Sequence, residues 1–104
     1  MIVEMRTYTV QIGAAAEYLK LYEAEGLPVA RLILGNLLGY FYTELGPLNQ
    51  LIHLWGYADL NDRQKRRAQL MTEPAWQAYI KKSRPLLVSQ DSRILNCAPF
   101  SPIK

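Results

Sequence analysis

The chain is 104 residues long, 50% apolar and 20% charged, with a formal net charge of +3. That length allows one domain with a modest core, and that composition excludes disorder. Cys97 is the lone cysteine, so an internal disulfide is excluded; much of the positive charge gathers at Arg63, Lys65, Arg66 and Arg67 and calls for no anionic partner. The richest apolar stretch, 32–45, is broken by Gly35, Asn36, Gly39 and Glu44 and falls short of the ~20 residues a membrane span needs. The opening MIVEMRTYTV lacks the basic and then apolar pattern of a leader, and Glu4 is out of place in a transit peptide. A single domain over 1–104, cytoplasmic and with no membrane partner, is therefore expected.

Residues 2–10 alternate, with Val3 and Met5 on one face and Glu4, Arg6 and Tyr8 on the other, which predicts a strand. After Gly13, Ala15, Tyr18, Leu19 and Tyr22 recur at helical spacing. Gly26-Leu27-Pro28 is expected to interrupt that helix, with a further turn or two over 29–34 ending at Gly35-Asn36. A second strand is predicted over 37–45, with Leu38, Tyr40, Tyr42 and Glu44 on one face. Gly46-Pro47 then turns the chain into a third, GPLNQLIHLWGY at 46–57, which sorts Leu51, His53, Trp55 and Tyr57 from Gln50, Ile52, Leu54 and Gly56.

Asp59 is placed to cap a helix over about 60–71, with Asp62 adding negative charge in its first turn. Thr72 is expected to cap a second helix that begins near Pro74, carries Trp76, Tyr79 and Ile80 on one stripe, and ends at Pro85. Residues 88–96 read as a last strand before an irregular tail. The order β-α-β-β-α-β predicts an α+β, ferredoxin-like subunit, an antiparallel sheet with its helices on one face. The helices are expected on the aliphatic face of the third strand. The aromatic face, with Tyr40, His53 and Trp55, would then lie bare and be covered in a homodimer whose sheets enclose a lumen.

Glu4-Met5-Arg6-Thr7-Tyr8-Thr9 resembles the opening of NIPSNAP domains, and residues 46–57 resemble their central signature. Gly35-Asn36-Leu37-Leu38-Gly39-Tyr40-Phe41, Trp76-Gln77-Ala78-Tyr79 and Arg84-Pro85-Leu86-Leu87 extend the likeness over nearly the whole chain. The resemblance implies the dimeric α+β-barrel superfamily. That superfamily includes cofactor-free monooxygenases, haem-degrading enzymes and isomerases, which implies a small ligand in the lumen.

The candidate catalytic residue is His53, a general acid or base towards an enol, phenol or carbonyl; the alternative is a histidine satisfied by Glu4, Tyr8 or the backbone. Arg6 and Glu4 are a candidate positioning pair for a carboxylate, or a self-satisfied salt bridge with Tyr8 packed over it. Tyr8, Tyr40 and Trp55 are candidate walls for a planar ligand, or interface packing. One histidine and one cysteine make no zinc pattern, although His53 could ligate a haem axially. No phosphate-binding glycine loop or serine-nucleophile motif occurs, so neither metal nor cofactor is expected. Lys65-Arg66-Arg67 reads as a solvated helix face in a chain without nucleic-acid motifs. Two functions follow: a protein that binds or transforms a small planar or carboxylated molecule, or a non-enzymatic protein-interaction module.

Overall fold

The computed structural model covers residues 1–104. Its elements are β1 (Ile2–Val10), α1 (Ala15–Leu21), a π-helical turn (Tyr22–Gly26), α2 (Leu27–Leu34), β2 (Asn36–Tyr42), β3 (Gln50–Tyr57), α3 (Leu60–Met71), α4 (Pro74–Ser83), a 3-10 turn (Arg84–Leu86) and β4 (Leu87–Asn96). The strands form one antiparallel sheet in the order β2-β3-β1-β4. This is the ferredoxin-like α+β arrangement that the element order predicts. No helix is long and apolar enough to cross a membrane.

Which sheet face the helices cover differs from expectation, and the difference decides where a site can be. In the β1–β3 register Glu4 lies opposite Trp55, Arg6 opposite His53 and Tyr8 opposite Leu51, so these residues share a face. Leu51, Trp55 and Tyr57 belong to one buried cluster with Tyr18, Ala30, Leu70 and Tyr79. The helices thus sit on the aromatic face. Their own buried stripes explain this, because Tyr18 meets Tyr8 ring to ring and Tyr22 meets Tyr40 and His53, while Tyr79 packs on Tyr22 and Trp76 behind them. The uncovered face is the aliphatic one, with Met5, Ile52 and Leu54 half-buried and Phe41 exposed. His53, Tyr40 and Trp55 therefore do not line a lumen between subunits; they lie between sheet and helices of one chain.

Residues 15–34 run as one helical rod through the π turn instead of breaking at Gly26-Leu27-Pro28. There the Leu27 N–H donates to the Tyr22 carbonyl, five residues back, and Pro28 falls in the first turn of α2, where its missing N–H costs little. Gly26 is required by close approach: a Cβ there would stand 2.8 Å from Tyr22 Cδ1 and 2.9 Å from Tyr79 Cζ. Gly26→Ala should destabilise the fold by about 1–3 kcal/mol through overpacking. An unchanged denaturation midpoint would contradict that reading.

Gly35 ends α2 at φ +87° as the cap residue expected. Asp59 caps α3 by accepting from the Asp62 N–H at 2.7 Å. Thr72 does not cap α4. Its hydroxyl donates to the Gln69 carbonyl at the end of α3, and Glu73 is the residue preceding α4. β2 stops at Tyr42, three residues early, and a loop over 43–49 joins it to β3 with Gly46 at φ +90° and Asn49 at φ +62°.

Candidate functional site

β1 supplies an ionic network to the covered face. Glu4 is fully buried, and its Oε2 accepts from Arg63 Nη2 at 2.7 Å, Ser92 Oγ at 2.5 Å and Arg6 Nη1 at 3.1 Å. Burial alone would push this carboxyl up, but the hydrogen bonds from Arg63 and Ser92 and the charges of Arg6 and Arg63 outweigh it and hold it at about 2. Arg6 also donates through Nε to the Tyr8 hydroxyl at 2.9 Å, with its guanidinium 5.4 Å from the Tyr8 ring centre. Glu4 Oε2 and Arg6 are thus paired, with the phenol packed alongside, while Glu4 Oε1 is buried without a partner.

His53, on β3, is 3% exposed. Its Nδ1 accepts from Trp55 Nε1 at 2.8 Å, which places the proton of the neutral ring on Nε2, and Nε2 has no partner. Burial, reinforced by the charges of Arg6 and Arg67, lowers its pKa to about 3. Tyr40 stacks on the imidazole at 4.6 Å and 19°, and Tyr8 meets it edge-on at 4.9 Å. At neutral pH His53 offers a proton donor, because its one basic nitrogen is already engaged. Tyr18, Tyr22 and Tyr40 are unionised: burial pushes Tyr18 up to about 12 and drives Tyr22 and Tyr40 higher.

Beside His53 lies a void of about 30 Å³ bordered by Tyr8, Trp55, Arg67, Trp76 and Tyr79. A cleft of about 450 Å³ shares Tyr8, Arg67, Trp76 and Gln90 with that void and adds Arg6 and Arg84. The two form a funnel with a wide mouth and a narrow end, whose closed end admits a small polar group and no haem macrocycle.

Arg67 borders both parts, and its guanidinium takes part in no ion pair or side-chain hydrogen bond. Burial and then the charge of Arg6 push it below the ordinary arginine range, although it stays protonated. The sequence reading missed it by taking its cluster as one solvated face. The signal was the spacing, since Arg63, Arg67 and the fully buried Leu70 form the inward stripe of α3. Its neighbours behave differently: Lys65 is exposed, and Arg66 donates to Asp62 at 2.8 Å and to the Ile33 carbonyl at 3.0 Å.

A family model described as NIPSNAP matches residues 3–102. An uncharacterized NIPSNAP-like domain protein from Burkholderia xenovorans has 50% sequence identity and a TM-score of 0.94, covering 97% of this chain and 88% of that one. Protein NipSnap homolog 2 of Homo sapiens is 29% identical over 104 residues, 99% of this chain and 35% of the human protein. The chain spans between 19% and 36% of the length of the first curated relatives it matches. An antibiotic biosynthesis monooxygenase shares 9% identity at a TM-score of 0.65 over 95% of this chain and 100% of that one, a likeness of fold alone.

Proposed function

Since the chain belongs to the NIPSNAP family, we propose that it is a small-molecule-binding domain whose site is the funnel between the sheet and α3–α4, and that it works as a homodimer. One observation carries the ligand reading. His53 is 3% exposed, yet its Nε2–H has no partner beside a void. Three of the chain's seven buried unpartnered side-chain atoms, His53 Nε2, Trp76 Nε1 and the Tyr79 hydroxyl, belong to residues that border this void, and an unsatisfied buried donor costs about 1–3 kcal/mol. A ligand oxygen accepting from that N–H recovers the cost. His53 then acts by donating a hydrogen bond to a carbonyl, enol or phenol oxygen; Arg67 supplies the unpaired cation, and Tyr8 and Trp76 the flanking rings.

The dimer reading rests on the other face of the sheet, where Met5, Phe41, Ile52 and Leu54 form an apolar surface that no helix covers and that the C-terminal tail borders only at its Val3–Leu54 end. Two such faces packed together would close it, and this interface would hold no residue of the funnel.

Native mass spectrometry of gently purified protein tests both parts. The expected spectrum is a dimer with a reproducible extra mass released on denaturation, and with His53→Asn a dimer without it. A monomer would overturn the assembly. A retained mass unaffected by His53→Asn would remove His53 from the site.

A further inference from the structure

The funnel gathers buried donors that have no partner. His53 Nε2–H and Trp76 Nε1–H are buried and unpartnered, and the Arg67 guanidinium is unpaired. Two neighbouring acceptors are engaged, since His53 Nδ1 takes the Trp55 N–H and the Tyr8 oxygen takes the Arg6 Nε–H, while the Tyr79 hydroxyl and the Gln90 amide can both donate and accept. No carboxylate borders the void or the cleft, and Glu4 Oε2 is occupied by three donors at a distance from both. A molecule that fits this lining must bring acceptors along its length.

The charge is graded. Arg6 and Arg84 border the mouth alone and Arg67 borders both parts, whereas the narrow end also holds a neutral imidazole and the unionised Tyr18 and Tyr22 phenols. An anionic group meets three guanidinium groups at the mouth and only Arg67 at the narrow end, where burial adds a desolvation cost, which favours a neutral oxygen there. The void of about 30 Å³ limits that inner group to one small oxygen function, and the rings of Tyr8 and Trp76 at the junction suit a flat body. The Arg67 guanidinium, like that of Arg84 free of any ion pair, presents the two-pronged donor geometry that matches a carboxylate.

Resting on the funnel being a binding site, we propose that its ligand class is a planar organic acid, bound with its carboxylate on Arg67 at the mouth and a carbonyl or hydroxyl oxygen on His53 Nε2–H at the narrow end.

The test is calorimetric titration with four probes: 4-hydroxybenzoate, benzoate, phenol and phenyl phosphate, against wild type, Arg67→Met and Arg67→Lys. 4-Hydroxybenzoate should bind tightest, with benzoate and phenol each weaker by roughly tenfold or more, since each lacks one anchor. Arg67→Met should lower 4-hydroxybenzoate affinity to near that of phenol, while Arg67→Lys restores part of the loss, and that rescue shows that the charge and not the fold of the pocket was lost. Equal binding of phenol and 4-hydroxybenzoate, or an acid affinity indifferent to Arg67→Met, would overturn the orientation and leave the funnel as a site. Tighter binding of phenyl phosphate would overturn the carboxylate class. Binding of none of the probes at millimolar concentration would overturn both the class and the funnel reading.

Discussion

Glu4→Gln should destabilise the fold by about 3–5 kcal/mol, among the largest losses available to one substitution in this chain, because it removes the counter-charge from a buried ionic network. The carboxylate is fully buried and gathers Arg63, Arg6 and Ser92 on one oxygen. Replacing it by a neutral amide leaves two guanidinium groups, 12% and 24% exposed, facing each other's charge. By contrast the surface pairs Lys82–Glu25 and Arg93–Asp91 are well exposed, and breaking either should cost no more than about 1 kcal/mol. Urea denaturation at neutral pH makes the comparison. A Glu4→Gln loss under about 1 kcal/mol would mean that the network merely balances its own desolvation. The pH dependence has a definite sign. The folded carboxyl titrates at about 2 against an ordinary 4.5, so its contribution is complete above pH 4.5 and is lost as pH falls towards 2. Glu4→Gln should lack that acid limb.

Period-two alternation in β1 was enough to gather Glu4, Arg6 and Tyr8 on one face, and the same rule grouped His53 with Trp55. Alternation divides a strand into faces without saying which layer covers each, and on β3 both faces are apolar or aromatic. The covering layer was legible only in the helices, where Tyr18, Tyr22, Trp76 and Tyr79 form the buried stripes. Arg67 was missed for a related reason: a basic residue is assigned to solvent by default, although its spacing from Arg63 and Leu70 places it on the inward stripe. The Trp55–His53 hydrogen bond was not readable either. Residues two apart on a strand share a face, but only the packed rotamers show that the indole N–H meets Nδ1. That single contact turns a candidate general base into a hydrogen-bond donor.

His53 should impose a pH dependence of its own, well separated from that of Glu4. Its conjugate acid titrates at about 3 in the folded chain against an ordinary 6.5. Between those values the unfolded chain holds the extra proton, so stability is complete above pH 6.5 and declines as pH falls towards 3. One proton corresponds to a slope of about 1.4 kcal/mol per pH unit, or roughly 2–3 kcal/mol between pH 6.5 and 4.5, before Glu4 begins to contribute. Because His53 is the chain's only histidine, that window reports on it alone. His53→Asn is the matching control: its side-chain oxygen can still accept from Trp55 Nε1–H, and it has nothing to titrate. The variant should be less stable throughout from lost volume, and its stability should be flat from pH 6.5 to 4.5. Denaturation midpoints at half-unit pH steps measure both curves. Parallel slopes would mean that His53 protonates in place without penalty, which is incompatible with a buried neutral imidazole whose Nδ1 is held by Trp55. A slope confined to the wild type would establish His53 as neutral at physiological pH, the state in which its Nε2–H can hold a ligand oxygen.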